Sequence, residues 1–529
     1  MHPFRAALLA LAVACGPSTP AAKPVVTGTT GPALAKIERD AQPIVDAWAS
    51  AVGGREAIAA LGPVHGKGMY EKGGMRGTID VWFTPRGERR EEIVLGDLRE
   101  VRIFDGTRGW LIDRNHEVRE LGGFELDDEL ALAFRESFAP LVVDRRAGMI
   151  TRDGENLVLA PQAGGRTEMV AFDRGSHLPL STMRRHGEKM RQTTFSDWNS
   201  VGGVKLPWTI REDTGNPNET VVIHFKNLDR GAPLPTAFSQ PPDRVPDMGM
   251  SNNPTTIPIE VAFGGLIFVK GSINDQPMSF VFDTGAEATV LSASRVAKLN
   301  LQPFGKFATG AGGGDVVLAY VPHVTTRVGD ATVSDQIVAA INLDDIERML
   351  QRPVDGILGY DFISRFVIEL DYAHSSMRLF DRATYQHTGA GKPIAITLED
   401  STPYFDAAVS VPQKGDLVGH FVLDTGCLCE VTLFSPFVDQ NKLLTAFPKA
   451  KQAGLAAGAG GKLNQLSTTI PAVRLGEQIV KDPNAQLSRD HTGGTANPET
   501  AGLIGSVLLK KFVLVLDYKR KQIFLDPSK

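Results

Sequence analysis

The chain is poor in cysteine. Its 529 residues include three cysteines, Cys15, Cys427 and Cys429, too few for the disulfide framework that holds small secreted domains together. The close spacing of Cys427 and Cys429 leaves two alternatives, a pair of buried thiols or a strained, labile bond. No further Cys and no nearby His completes a ligand set around them, so we predict no metal site and no cofactor.

A strong charge bias and a membrane-spanning run are also lacking. The 56 Lys and Arg residues nearly balance the 61 Asp and Glu residues, for a net charge of −5, which gives no reason to expect a nucleic acid as partner. The apolar run at residues 6–14 is shorter than the about 20 residues that cross a bilayer. The hydrophobic content of 42% is typical of globular proteins, and the length suggests several domains.

The first residues have the pattern of an export signal. Arg5 precedes the apolar run, which ends in small residues at Cys15, as in a secretory signal peptide. Residues 11–15 resemble the bacterial lipobox, in which the Cys is acylated and becomes the new N-terminus. We therefore expect residues 1–15 to be a lipoprotein signal peptide, with a plain signal peptide and an incidental Cys15 as the alternative. Gly16 fits retention at the periplasmic face of the outer membrane, and the Pro-, Thr-, Ala- and Gly-rich residues 16–36 predict a flexible tether.

Residues 37–230 predict an α+β domain built on an antiparallel sheet. Residues 37–61 have helical spacing that Gly53 and Gly54 interrupt, and residues 127–141 also read as a helix. Period-two segments, among them residues 78–83 and 168–172, predict strands. We expect a curved sheet that helices close on one side.

Two short strings in this domain resemble periplasmic lipoprotein-carrier-like domains. They lie at residues 104–110 and 201–207. The resemblance implies a half-barrel that holds acyl chains, so an acyl chain is a possible ligand of the domain. A spacer and an inhibitory pro-segment are the alternatives. The six prolines of residues 231–256 predict a linker after the domain, because proline blocks helices and removes a hydrogen-bond donor.

The C-terminal half contains one pattern twice. Residues 279–285 read SFVFDTG, and residues 420–426 read HFVLDTG. Each copy later has a Gly-apolar-apolar-Gly segment followed by Leu-Asp-Tyr, and the order of the features is the same. The separation from the motif Asp to the last Gly is 359 − 283 = 76 residues in one copy and 505 − 424 = 81 in the other. Several matched features in one order indicate a duplicated lobe.

The duplicated pattern resembles the pepsin-like and retropepsin-like aspartic proteases over about residues 257–526. The resemblance implies a bilobal all-β acid-protease fold with pseudo-twofold symmetry, with lobes at residues 257–390 and 391–529. The fold class of the chain is therefore expected to be mainly β. The resemblance also implies an endopeptidase that acts on peptide or protein substrates, with Asp283 and Asp424 as its catalytic pair.

The chemistry of peptide hydrolysis explains these residue types. Two carboxyl groups a few ångströms apart do not easily both ionise, so one stays protonated while the other acts as base on a water molecule. They titrate as a pair. By resemblance, Thr284 and Thr425 interlock beneath the pair. Gly285 and Gly426 let the chain turn and direct backbone N–H groups toward the carboxylates.

Glycine-rich stretches follow each Asp-Thr-Gly motif. We interpret them as hairpin flaps that close over a substrate, and the glycines concerned are Gly310, Gly312, Gly313, Gly458 and Gly460. A phosphate-binding loop is disfavoured because no Lys-Ser or Lys-Thr follows the first stretch.

The second copy departs from the pattern in its active-site loop. Cys427 stands where pepsins have Ser or Thr, and the first following Ser is eleven residues after Asp424 (435 − 424) but nine after Asp283 (292 − 283). The second loop is thus predicted to carry about two extra residues. Two alternative functions remain: a peptide-binding scaffold without turnover, and a lipid or lipoprotein carrier that acts through residues 37–230.

Overall fold

The computed structural model describes residues 34–528 apart from residues 163, 188, 235, 244–246, 312–313, 454–455 and 459–460. The predicted signal peptide with Cys15 and most of the predicted tether lie outside the described residues, as do Gly312, Gly313 and Gly460. The chain is mainly β. Within the described ranges, none of the helices is long and apolar enough to cross a membrane.

Over its described residues, the N-terminal part is one sheet with three helices. Its elements are β1 (Lys36–Ile37), α1 (Gln42–Ala51), α2 (Arg55–Ala59), β2 (Val64–Lys72), β3 (Met75–Phe83), β4 (Arg89–Leu95), β5 (Leu98–Phe104), β6 (Gly109–Ile112), β7 (Val118–Glu120), α3 (Gly123–Glu136), β8 (Gly148–Asp153), β9 (Asn156–Pro161), β10 (Glu168–Phe172), β11 (Pro179–His186), β12 (Lys189–Val201), β13 (Val204–Asp213) and β14 (Val221–Arg230). The strand order is β1-β8-β9-β10-β11-β12-β13-β14-β2-β3-β4-β5-β6-β7.

Two glycines separate α1 from α2, as predicted. Gly53 and Gly54 both have positive φ, at 124° and 90°, which residues with a side chain rarely adopt. A Cβ on Gly53 would also lie 2.2 Å from the carbonyl oxygen of Gly203. The break lets both helices bury apolar residues such as Trp48 and Ile58 in one core with the sheet.

The first lobe follows. Its elements are β15 (Met248–Met250), β16 (Thr255–Ala262), β17 (Leu266–Ile273), β18 (Gln276–Phe282), β19 (Val290–Ser292), α4 (Ala293–Lys298), β20 (Phe304–Ala311), β21 (Gly314–Val328), β22 (Ala331–Ile341), α5 (Asp344–Leu350), β23 (Gly356–Leu358), α6 (Tyr360–Ile363), β24 (Phe366–Asp371) and β25 (Ser376–Asp381). Strand β15, from the proline-rich stretch, pairs with β22.

The second lobe repeats much of this order. Its elements are β26 (Ile394–Ala395), β27 (Thr397–Glu399), β28 (Thr402–Val411), β29 (Gly415–Asp424), β30 (Val431–Leu433), α7 (Ser435–Gln440), α8 (Leu443–Ala446), β31 (Lys451–Gln452), β32 (Ala456–Gly458), β33 (Gly461–Leu463), β34 (Gln465–Thr469), β35 (Ala472–Leu475), β36 (Gln478–Lys481), β37 (Asn484–Ser488), β38 (Gly502–Gly505), α9 (Ser506–Leu509), β39 (Phe512–Asp517) and β40 (Gln522–Pro527).

The two lobes share one strand arrangement around the Asp-Thr-Gly motifs. In the first lobe, β18 runs parallel to β23, and β19 lies antiparallel on the other side of β23. In the second, β29, β38 and β30 have the same relation. The Gly-apolar-apolar-Gly segments therefore lie directly beside the strands that lead into the two aspartates.

A continuous β-sheet joins the two lobes. Strand β24 of the first lobe pairs antiparallel with β39 of the second, with Ile368 opposite Leu516 and Leu370 opposite Leu514. All four side chains are fully buried, and the surrounding core draws apolar residues from both lobes. The burial of apolar side chains from both lobes in one core holds the lobes together.

The N-terminal sheet packs against the first lobe. One apolar cluster combines Tyr70, Ile79 and Ile223 of the sheet with Phe268 and Leu318 of the lobe. The backbone N–H of Lys306, in β20, donates to the carbonyl oxygen of Gly73, in the turn after β2 (2.8 Å). The N-terminal part thus touches the first lobe through both apolar and polar contacts.

Candidate active site

The two motif aspartates lie at equivalent strand ends. Asp283 follows β18, and its N–H donates to the carbonyl oxygen of Leu358 in β23 (3.1 Å). Asp424 is the last residue of β29 and pairs with Gly505 in β38. Both side chains are half-buried, and their carboxyl groups are adjacent, since a Cβ on Gly285 would lie 3.2 Å from Oδ1 of Asp283 and 2.9 Å from Oδ1 of Asp424. Residues 141 positions apart (424 − 283) therefore form one site.

Backbone N–H groups hold each carboxyl group in place. Gly285 N–H donates to Asp283 Oδ1 (2.8 Å), and Gly426 N–H donates to Asp424 Oδ1 (2.8 Å). Cys427 N–H makes an additional bond to Asp424 Oδ1 (3.0 Å). These donors stabilise the ionised form of the acceptors.

The motif glycines are required by close approach of the opposite lobe. A Cβ on Gly426 would lie 2.4 Å from Oδ2 of Asp283, and a Cβ on Gly285 would lie 2.9 Å from Oδ1 of Asp424. Each glycine thus packs against the carboxyl group of the other lobe. Neither has a positive φ, so the predicted role in a sharp turn is not what demands glycine here.

The two threonines interlock across the lobes, in the way the resemblance implied. Thr425 Oγ1 accepts from Thr284 N–H (3.0 Å) and donates to the carbonyl oxygen of Phe282 (3.2 Å). Thr284 Oγ1 accepts from Thr425 N–H (2.9 Å) and donates to the carbonyl oxygen of Leu423 (2.7 Å). Both residues are fully buried, so each hydroxyl satisfies groups that water does not reach.

Replacement of Thr425 by Val is expected to lower the free energy of unfolding by about 2–4 kcal/mol, because it leaves a buried N–H and a buried carbonyl unpaired. Urea unfolding measures the loss. Thr425→Ser keeps the hydroxyl and is the matched control. A Thr425→Val variant as stable as the wild type would mean that methyl packing, and not the interlock, holds the lobes here.

Burial raises the pKa of both aspartates. The pKa of Asp424 is raised well above the usual range of a carboxyl group, first by burial and then by the adjacent charge of Asp283. Burial also raises the pKa of Asp283, while the Gly285 N–H and the hydrogen bond from Asp424 oppose that rise. The pair therefore keeps one proton over a pH range in which two isolated carboxyl groups would both be ionised.

A β-hairpin lies at each of the two glycine-rich stretches. Gly310 lies in β20 opposite Asp315 of β21, and Gly458 of β32 pairs with Gly461 of β33. The pairing establishes hairpins at both places. Closure over a substrate stays a prediction.

The loop after Asp424 differs from its counterpart. Cys427 and Cys429 form a disulfide, and the Ser506 hydroxyl donates to the carbonyl oxygen of Cys427 (2.7 Å). The β-ladder register shows one extra residue here and not the two predicted: Val290 pairs with Ile357, seven residues after Asp283 (290 − 283), and Thr432 pairs with Leu503, eight after Asp424 (432 − 424). The two serines used for the prediction are not equivalent positions.

A comparison with known families agrees with this geometry. A family model described as aspartyl protease matches residues 269–362, which include Asp283, the first hairpin and the segment at residues 356–359. The chain carries an aspartic protease-like domain. No curated protein matches the chain. The second lobe lies outside the matched residues, and its likeness to the first rests on the duplicated motif and strand pairing.

One residue close to this aspartic protease-like site was not predicted from the sequence. Asp361 lies two residues after Gly359 and is 1% exposed, and its Oδ2 accepts from the N–H of Thr289 (2.8 Å) in the active-site loop. The equivalent position in the second lobe is Val507. The signal available in the sequence was this difference between the two copies. An Asp that stands where the other copy has an apolar residue needs its own polar or charged partner if it is buried.

Proposed function

We propose that the chain is an aspartic endopeptidase that hydrolyses peptide bonds through a water molecule activated by Asp283 and Asp424. The observation that carries the proposal is the adjacent pair of carboxyl groups, each with an N–H donor from its own motif glycine. A half-buried pair with one shared proton supplies a base and an acid at one place.

The proposed reaction uses both protonation states of the pair. The ionised carboxylate takes a proton from water as the oxygen attacks the peptide carbonyl, and the protonated carboxyl donates to the carbonyl oxygen. Collapse of the tetrahedral intermediate breaks the C–N bond, and a proton passes to the leaving amine. The glycine N–H groups keep the carboxylates oriented throughout.

The proposed substrate is a peptide in an extended conformation. It would lie between the two lobes, where hairpins β20–β21 and β32–β33 supply strand edges for backbone hydrogen bonds. A scaffold without turnover is the weaker candidate, because such a function gives no reason for two carboxyl groups in contact, an arrangement that costs stability.

Cleavage of a peptide library by the full chain tests the proposal. We expect defined internal cleavage sites and inhibition by pepstatin-type inhibitors. Failure of the chain to cleave any peptide between pH 3 and pH 8, while it still binds peptides, would favour the scaffold.

The pH dependence of kcat/KM is expected to be bell-shaped. Activity falls at low pH when both carboxyl groups are protonated, and at high pH when both are ionised. Because the pKa of Asp424 is raised well above its usual range, the upper limb should lie well above the value of about 4 for a free carboxyl group. An upper limb near 4 would contradict a shared-proton pair.

Buried charges in the N-terminal domain argue against a role as an acyl-chain carrier. Helix α3 presents Glu125, Asp128 and Glu129 to the sheet, all buried, and these acids pair with arginines. The pairs include Arg119–Glu125 at 2.5 Å and Arg166–Asp128 at 2.7 Å. Charged groups under a helix do not offer an apolar bed to an acyl chain.

Export and membrane attachment form part of the proposal. Residues 11–15 support acylation at Cys15 and a place at the periplasmic face of an outer membrane, where the substrates would be exported proteins or peptides. Metabolic labelling with a fatty-acid analogue tests this. Labelled wild type and unlabelled Cys15→Ala would support the anchor, and equal labelling would contradict it.

A further inference from the structure

The loop between β6 and β7 of the N-terminal sheet is buried although it is the tip of a hairpin. Asp113, Asn115 and Glu117 are 4%, 2% and 8% exposed. Hairpin tips with polar residues normally lie in solvent. This one, which we call the 113–117 loop, is covered by the first lobe.

The 113–117 loop binds the lobe through its side chains. Arg114 Nη2 donates to both oxygens of Asp361 (2.8 Å each), and Asn115 Nδ2 donates to Asp361 Oδ1 (2.9 Å). Asn115 also exchanges two hydrogen bonds with the backbone of Ile337, accepting at 2.7 Å and donating at 3.1 Å. The carboxylate of Asp361, buried at 1% exposure, thus receives its cation from another domain.

Asp361 in turn holds the loop that carries Asp283. Its Oδ2 accepts from Thr289 N–H (2.8 Å), and the N–H of Ala339 donates to the carbonyl oxygen of Thr289 (2.9 Å). Thr289 is fully buried, six residues beyond Asp283 (289 − 283). The contacts at Ile337 and Asp361 therefore converge on one end of the active-site loop.

In the second lobe, contacts from the same lobe hold the corresponding loop. There the Ser506 hydroxyl and N–H donate to the carbonyl oxygen of Cys427 (2.7 and 3.0 Å), and the Cys427–Cys429 disulfide closes the loop. The first lobe has no disulfide in its loop, and Tyr360 N–H donates to the carbonyl oxygen of Ala286 (3.0 Å). Only the first lobe's loop, among the residues described, is tied to the N-terminal domain through a buried ion pair.

We propose that Arg114 and Asn115 are positioning residues for Asp283, and that the N-terminal domain is a permanent component of the catalytic unit and not a removable pro-segment. The inference rests on the proposed peptidase function. Arg114 neutralises the charge of Asp361. Asp361 can then hold Thr289 and, through Thr289, the loop that carries Asp283.

Replacement of Arg114 by Ala in the full chain tests the proposal. We expect kcat to fall about 10²-fold with KM little changed, because small misplacements of a reacting group cost rate and not binding. Arg166→Ala is the matched control, since Arg166 also crosses to the protease part, at Glu499 (2.9 Å), but has no contact with the active-site loop. Equal effects on kcat in both variants would reduce Arg114 to a docking residue and overturn the proposal.

Asp361→Asn in the Arg114→Ala background separates positioning from loss of fold. The amide oxygen of Asn still accepts from Thr289 and needs no cation, but its amide nitrogen then faces the Asn115 Nδ2 donor, so the double variant should recover part of the lost kcat. Arg114→Lys should recover part of it. A double variant no more active than Arg114→Ala would contradict the proposed chain of contacts.

Hydrogen exchange gives a readout independent of activity. The segment that contains Thr289 should exchange faster in Arg114→Ala than in wild type or Arg166→Ala. If the wild type cleaves nothing but this difference is seen, the positioning role stands and the peptidase function fails. If the wild type cleaves and exchange is unchanged, the positioning role fails alone.

Discussion

Replacement of Asp283 by Asn, or of Asp424 by Asn, is expected to lower kcat by about 10²–10⁴-fold. Asn is nearly the same size and its amide oxygen still accepts from Gly285 or Gly426, so the change removes the titrating group and little else. Either single change should be as damaging as both together, because the two carboxyl groups act as one base and acid. Initial rates of cleavage of one peptide substrate measure the loss.

The stability of the Asp424→Asn variant serves as the control. The pKa of Asp424 is raised in the folded chain, so ionisation of this group costs stability as pH rises through that pKa. Removal of the carboxyl should leave the melting temperature unchanged at low pH and raise it at neutral pH. An inactive variant that melts earlier at neutral pH would instead indicate a damaged fold, and retained activity would contradict the assignment of the pair.

Replacement of Gly426 by Ala is expected to reduce kcat by about 10²-fold or more, although it adds only one methyl group. The added Cβ would lie 2.4 Å from Oδ2 of Asp283, well inside van der Waals contact, so one of the two loops must move. Because displaced reacting groups lose orientation, the rate falls more than the substrate affinity. Steady-state kinetics that separate kcat from KM measure the effect.

Gly249→Ala is the matched control for this substitution. Gly249 lies in β15, has no positive φ, and an added Cβ there meets nothing within 4 Å. It should leave both kcat and melting temperature unchanged. If Gly426→Ala were equally harmless, the close approach of Asp283 to Gly426 would not describe the active protein.

The duplicated pattern was enough to predict which residues meet, because each motif carries its own strand, turn and supporting segment. Thr284 and Thr425 interlock where the resemblance placed them. Two features of the N-terminal domain also follow the predicted bounds, the break at Gly53 and Gly54 and the strand at residues 168–172. Both could be predicted because the backbone freedom of glycine and the alternation of apolar and polar residues are properties of a short stretch of sequence.

Contacts between domains could not be predicted in this way. Arg114 and Asp361 are 247 residues apart, and nothing in the local sequence of either residue specifies the other. The burial of the acids on helix α3 was also not predicted, because the arginines that pair with them, Arg119 in β7 and Arg166 just before β10, lie outside the helix. The size of the insertion after Asp424 was also misjudged, because Ser435 begins a helix while Ser292 ends a strand.

A structure of the chain with a peptide analogue that carries a hydroxyl-bearing tetrahedral carbon in place of the scissile amide tests the central claim most directly. We expect the hydroxyl to lie within hydrogen-bonding distance of both Asp283 and Asp424, in the place of the attacking water, with the peptide extended between the lobes. An analogue bound away from this pair, or in contact with only one of the two carboxyl groups, would contradict the account.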